Sequence, residues 1–357
     1  MRFFKIVLLL HLLFGISHQS FSQHQHDEGS KIEHLTFSDT FFGNEDDYQV
    51  CYPKDHRSFF YFIILFAVTS TLFGIIIIRN IRKHNIILKK VNALIEEKNK
   101  DLIDSITYSK RIQNTILPKQ EVISKTLPQS FVLYKPKDIV SGDFYWYHTD
   151  LDYSYLAVVD CTGHGVPGAF LSLIGNTAIN KAVKEDKLKD TSSILDKMNN
   201  YVKEMLQQQG DNELKDGMEV ALCRIDTKNM EVQFSGANLG LIQVSDGNYT
   251  VHKGSKCSVG SVQPHVFAPP TAQNIKVKKG DTFYMHSDGI VDQFGGIEGK
   301  KFKSSGLKTL ALQLNSSTME EQCIQFNKEF AAWKGDLAQV DDVCVIGFRI
   351  GEKTSLE

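Results

Sequence analysis

The sequence predicts an α+β protein built on antiparallel sheet, preceded by a transmembrane helix and a long signalling helix. Three observations predict it. Beyond residue 118, strand-like runs and helix-like runs come in groups and do not alternate singly, which argues for antiparallel sheet and against a doubly wound fold. Residues 59–78 carry no charge over a length that matches the roughly 20 residues a helix needs to cross a bilayer. Residues 81–117 contain no Gly and no Pro before Pro118 stops the pattern, as expected of one long helix.

The first residues, Met1-Arg2-Phe3-Phe4-Lys5, precede an apolar run over 6–16 and then Ser20, Phe21, Ser22 and Gln23, the layout of a secretory signal peptide or, if uncut, of an anchor over 1–22. Between it and the span, 23–57 is an extracytoplasmic segment of about 35 residues, too short for a sizeable core. It reads as a tether, with His24, His26 and His34 a weak hint of metal. Core helices are seldom apolar on every face over such a length, so 58–78 is read as a membrane span. Arg79, Arg82, Lys83 and His84 follow it directly and mark its cytoplasmic end. Everything after residue 79 is then expected in the cytoplasm, on a single-pass chain in the inner membrane.

In 79–117, Ile81, Leu88, Ile95 and Leu102 fall seven apart, with Ile116 later, Val91 and Ile112 at the companion position, and Lys98 and Ser105 interrupting. This partial seam predicts a homodimer through 81–117, a signalling helix able to pair weakly. A single amphipathic helix packed on the next domain is the alternative.

The domain 118–357 is expected to hold strands at 131–135, 144–148, 155–160, 218–226, 231–235, 239–244, 249–252, 282–287 and 343–350, by alternation and β-branched content. Helices are expected at 167–183, 192–208, 304–315 and 318–334. A formal charge of -2 and an isoelectric point near 6.6 give no electrostatic ground for a nucleic-acid partner. The six cysteines (51, 161, 223, 257, 323 and 344) stand singly, without zinc spacing, and read as reduced thiols.

Acidic residues recur beside glycine or at the ends of apolar strands: Asp143 in Ser141-Gly142-Asp143, Asp160 after Val158-Val159, Asp288 in Ser287-Asp288-Gly289, and Asp341-Asp342 before Val343. Carboxylates converging at the mouth of a sheet make an all-oxygen site suited to Mg²⁺ or Mn²⁺ and unsuited to zinc. A lone Asp-Gly is usually a turn, and Asp246-Gly247 reads as the hairpin between 239–244 and 249–252. Adjacent strand residues face opposite ways, so only one of Asp341 and Asp342 can point into a site.

The stretch Asp160-Cys161-Thr162-Gly163-His164-Gly165-Val166-Pro167-Gly168-Ala169-Phe170 resembles the SpoIIE-like branch of the PPM metal-dependent protein phosphatases. Ser141-Gly142-Asp143-Phe144-Tyr145-Trp146 before it, and Ser287-Asp288-Gly289-Ile290 and Asp341-Asp342-Val343 after it, extend the resemblance over roughly 118–350. It implies an αββα sandwich of two antiparallel sheets flanked by helices. Two Mn²⁺ or Mg²⁺ ions would lie between the sheets, for hydrolysis of phosphoserine or phosphothreonine on a partner protein by metal-activated hydroxide. By motif, Asp160 is the bridging ligand and the Cys161 backbone carbonyl the adjacent one. Asp288 and Asp341 are ligands of the second metal, and Asp143 is the early acidic position. His164 is placed as general acid toward the leaving oxygen. Ser235-Gly236-Ala237-Asn238 and Asp216-Gly217-Met218-Glu219 also look family-like and read as structural turns. No Arg precedes the first acidic motif to grip phosphate; Lys135 and Lys137 lie there instead.

The reading is therefore a membrane-anchored protein phosphatase, with an anti-sigma-factor antagonist or similar regulator as its substrate by resemblance. A non-catalytic binding module on the same fold and a small-molecule phosphohydrolase are the alternatives.

Overall fold

A computed structural model describes residues 56–207, 216–261 and 270–351. The expected signal segment and nearly all of 23–57 lie outside the described residues. The chain divides into two compact units, Met1–Ile86 and Ile87–Glu357.

Helix α1, His56–Ile116, is one unbroken element, where span and signalling helix were expected as neighbours. It is long and apolar enough to cross a membrane by length and composition. With no Gly-Pro punctuation between 79 and 117, nothing in the sequence ends it before Pro118. In the second unit, Leu88, Val91, Ile95 and Leu102 are exposed, and Gln113 alone of the described α1 side chains is buried. Its amide Nε2–H donates to the Ser141 carbonyl (2.6 Å) and to Ser172 Oγ (2.9 Å), and its Oε1 accepts from the Ser141 N–H (3.1 Å).

After a short α2, Gln120–Ser124, the strands are β1 Ser130–Lys135, β2 Phe144–Thr149, β3 Ser154–Cys161, β4 Met218–Asp226, β5 Glu231–Ala237, β6 Leu241–Ser245, β7 Asn248–His252, β8 Gln273–Lys276, β9 Thr282–His286, β10 Phe294–Gly295, β11 Lys300–Lys301 and β12 Val343–Arg349. The helices among them are α3 Gly165–Asn180, prolonged by one π turn over Lys181–Glu185, α4 Thr191–Met205, α5 Gly289–Asp292, α6 Lys303–Gln313 and α7 Met319–Lys334. Two five-stranded antiparallel sheets form, in the orders β1-β12-β9-β6-β7 and β2-β3-β4-β5-β8, with β10 and β11 a separate ribbon.

Alternation along each strand builds the layers. In β3, Leu156 and Val158 enter the core between the sheets with Phe283, Met285, Ile346 and Phe348, while Tyr155, Ala157 and Val159 face the other way onto α3 and α4. In β12, Val343 and Val345 turn outward to α6 and α7. The result is four layers, helices on sheet on sheet on helices. Strands buried on both faces explain why 155–159 is apolar throughout instead of alternating.

Asp246 and Gly247, both at positive φ, close the two-residue turn from β6 to β7, with Ser245 opposite Asn248. The unexpected elements are small: α2, β8, α5 and the β10–β11 ribbon.

Replacing Gln113 by Leu keeps the bulk and leaves the Ser141 N–H and carbonyl without their partner. Stability is expected to fall by about 1–3 kcal/mol, read as a lower urea midpoint with the slope unchanged. An unmoved midpoint would show that these bonds contribute nothing.

Candidate metal centre and active site

Three connections and the end of β3 bring the aspartates together. Asp143 lies just before β2 and is 2% exposed. Its N–H donates to Ser141 Oγ (3.1 Å), its carbonyl accepts from the Tyr134 hydroxyl (3.0 Å), and its buried Oδ2 has no protein partner. Asp160 lies near the end of β3 and accepts from the Asp288 N–H (3.3 Å), a direct tie between two distant motifs. Asp288 begins the turn into α5. Asp341 and Asp342 precede β12.

Burial first, and then the neighbouring carboxylates, push Asp143, Asp160 and Asp288 up. Asp143 is held well above the carboxylate range by burial and then by Asp160, with smaller contributions from Asp342 and Asp341. Burial and then Asp288, with Glu219 and Asp341 adding, push Asp160 up to about 7. Asp288 has an exposed side chain, yet the atoms crowded about its carboxyl and then Asp341 push it up to about 6. No Lys or Arg side chain forms an ion pair with Asp143, Asp160, Asp288 or Asp341 among the described residues. A bound cation would relieve this repulsion, and the unpartnered Asp143 Oδ2 is an oxygen available to one. The donor set fits a hard divalent ion. Among the described residues no group of three or more His, Cys, Asp or Glu side chains already stands close enough to hold a metal ion.

The pair Asp341-Asp342 separates into two roles. Asp342, 2% exposed, accepts from the Lys137 N–H (2.7 Å) and the Gly142 N–H (2.8 Å), so both its oxygens serve the β1–β2 loop. Asp341 is half-buried on the cluster side and accepts from the Asp342 N–H (2.8 Å). The buried Gln293 fixes the approach to this pair by donating to the Ala338 carbonyl and accepting from the Val340 N–H.

At Cys161 the thiol is buried and pushed well up by burial. The backbone carbonyl is the usable atom: a Cβ on Gly142 would stand 3.3 Å from it and 2.3 Å from the Gly163 carbonyl, so only glycine lets the Asp143 loop lie this close. Gly163 and Gly165, at φ 82° and 65°, flank His164 and turn the chain into α3. His164 Nδ1–H donates to Asp138 Oδ2 at 2.6 Å.

Three contributors stand outside the site residues expected from the sequence, one of them, Glu219, in a segment read there only as a turn. Glu219 sits opposite Asp160 in the β3–β4 ladder, accepts from Asn238 Nδ2 (3.0 Å) and is itself raised by burial. The segment 216–219 therefore does more than turn: the Gly217 carbonyl accepts from the Thr162 N–H while Glu219 joins the acidic mouth. The other two are Asp138 and Gln113. Of the two lysines, Lys135 is engaged elsewhere, on Asn327 Oδ1 (2.7 Å) and over the Phe330 ring.

Against known proteins, the family model Stage II sporulation protein E (SpoIIE) matches residues 151–351. The SiaA-PP2C domain of Pseudomonas aeruginosa is 31% identical, with 70% of this chain and 98% of that one covered and a TM-score of 0.64. The RsbU and RsbW domains of a Mycobacterium tuberculosis protein are 16% identical, covering 64% of this chain and 62% of that one, at a TM-score of 0.52. The PP2C phosphatase domain of SpoIIE from Bacillus subtilis, with a fragment of its regulatory domain, is 18% identical over 63% of this chain and 62% of that one, also at 0.52. These last two show likeness of fold alone. No curated protein sequence matches the chain. Because the matched region is more than half of the 357 residues, and the SiaA-PP2C domain is 31% identical over 70% of this chain, the chain belongs to the SpoIIE family and its two-sheet unit is a PP2C-type serine/threonine phosphatase domain.

Proposed function

We propose that this chain is a membrane-anchored, divalent-metal-dependent phosphatase acting on phosphoserine or phosphothreonine of a regulatory protein. The observation that carries the metal dependence is the cluster of raised carboxylates Asp143, Asp160 and Asp288, none of them ion-paired to a lysine or arginine among the described residues, about the Asp143 Oδ2 that has no hydrogen-bond partner.

Asp143, Asp160, Asp288, Asp341 and the Cys161 carbonyl would hold two Mn²⁺ or Mg²⁺ ions. Bound there, such ions supply a water of lowered pKa and neutralise charge on the phosphoryl oxygens. The chain's own residues do the rest. Asp342 fixes the loop that presents Asp143, Glu219 adds negative charge beside Asp160, and His164 gives a proton to the departing seryl or threonyl oxygen.

Residues 59–78 are the span. The exposed apolar residues Leu88, Val91, Ile95 and Leu102 support pairing of α1 with a second copy of the chain.

Asp160→Asn is expected to lower Mn²⁺-dependent hydrolysis of p-nitrophenyl phosphate by about a thousandfold or more, the several kcal/mol that metal catalysis supplies. Asp246→Asn, in the hairpin turn, should leave it unchanged; equal activity in the two variants sinks the assignment.

Stability gives a readout independent of turnover. A carboxyl raised in the folded state stabilises that state while protonated, so Asp160 costs the metal-free protein stability as pH rises from its ordinary 3.8 through about 7. Metal binding needs the same carboxylates deprotonated. In chelator the melting temperature should fall across this window, and Mn²⁺ should raise it more above about pH 7 than near about pH 5. A metal effect independent of pH would contradict the assignment.

Chains carrying single cysteines at 88, 95 or 102 should stay with alkaline-extracted membranes and crosslink between copies at one or more of these positions. Release into the soluble fraction would remove the span, and absence of crosslinks at all three would remove the dimer.

A further inference from the structure

Among the described residues, His164 and Asp138 form the one close carboxylate–imidazole contact, 2.6 Å between Nδ1 and Oδ2. Both side chains remain about half exposed, at 46% and 45%, and so are accessible from solvent. Each is held rigidly from its own side. Asp138 follows Lys137, whose N–H is bound by Asp342, and the same carboxylate binds the Gly142 N–H four residues beyond Asp138. His164 stands between two glycines at positive φ and caps α3. A Cβ at Gly165 would come within 3.2 Å of Asp138 Oδ2, so the carboxylate lies directly over the turn that carries the ring. An exposed ion pair adds little stability by itself. Pinning both backbones to make one gains orientation instead.

We propose that Asp138 is a positioning residue for the phosphatase reaction. It accepts the Nδ1–H of His164, selects the tautomer and ring orientation in which Nε2 faces the substrate, and so readies that nitrogen to protonate the leaving oxygen. The inference rests on the phosphatase reading above. In the step itself, a water oxygen bonds to phosphorus and the phosphorus–oxygen bond to the seryl or threonyl side chain breaks. The bonding pair goes to that oxygen, which takes the proton from His164 Nε2. The water's displaced proton goes to solvent, and the ring recovers one from solvent, so phosphoprotein and water give alcohol and inorganic phosphate. A partner held at Nδ1 fixing proton transfer at Nε2 is the same division of labour that orients histidines in other hydrolases.

Leaving groups separate this role from a structural one, because p-nitrophenolate departs without a proton whereas a seryl oxygen needs one. The full-length protein with Mn²⁺ is assayed on a phosphoserine peptide and on p-nitrophenyl phosphate. Asp138→Asn should lower kcat on the peptide roughly tenfold or more and leave p-nitrophenyl phosphate within about twofold. Asp138→Glu should restore most of the peptide activity. With His164→Ala already present, Asp138→Asn should cost nothing further on the peptide. Equal loss on both substrates, or an undiminished further loss in the His164→Ala background, overturns the proposal; the Glu and double variants decide it even where Asp138→Asn folds poorly. A wild-type chain that hydrolyses neither substrate overturns the phosphatase reading, and the positioning role with it.

Discussion

The structure depends on one buried carboxylate. Asp342, at the entrance to β12, takes the amides of Lys137 and Gly142 at 2.7 and 2.8 Å and so closes the first third of the domain onto its last strand. Charge-assisted bonds of this kind are roughly twice as strong as neutral ones, and losing one side leaves a buried charge or unpaired amides. The stretch between those amides carries Asp138, and Asp143 follows immediately. One side chain therefore sets the height of both Asp143, proposed above as a metal ligand, and the partner of the histidine. Placing two aspartates in sequence lets the strand divide labour: the residue facing the loop becomes structural, and its neighbour facing the mouth remains available for chemistry.

The mouth is organised around unfavourable electrostatics. Asp143, Asp160 and Asp288 are all raised, first by burial and then by one another. A domain optimised only for stability would not gather them. The four-layer core offsets the cost: Phe283, Phe348, Phe234 and Leu156 between the sheets are wholly buried, each worth about 1.5–3 kcal/mol of transfer free energy. Function and stability are thus supplied by one face of the same strand: Val158 fills the inter-sheet core and Asp160, two residues on and on the same side, stands at its edge among the acidic residues.

Much of this was legible in the sequence, and the exceptions share a cause. Strand β4 has the expected bounds, 218–226, and the Asp246-Gly247 hairpin lies where its turn chemistry put it, because both signals are local. The four-residue β8 has one buried side chain, Ile275, and no alternation to read. Helix α5 is a single turn following Asp288. Glu219 lies in a segment that reads only as a turn, and Asp138 and Gln113 carry no sequence signature, for a different reason. Their partners are 19, 26 and 28 residues away, and most are backbone groups or surface polar atoms that leave no pattern in residue type. The separation of Asp341 from Asp342 was undecidable from spacing, since strand alternation says that one must point inward but not which.

The Gln113 contact has a geometric consequence for the helix that bears it. A helix advances about 100° per residue, so Leu88, Val91, Ile95 and Leu102 all fall within about 40° of the direction in which Gln113 points. The stripe that is bare along α1 in the second unit is thus the angular continuation of the stripe that ends hydrogen-bonded to Ser141. The rod has a single phase along this length. Any twist that turns the bare stripe about the rod's axis must either withdraw the Gln113 amide from the residue two before Asp143 or be absorbed as torsion in the roughly three turns between Leu102 and Gln113.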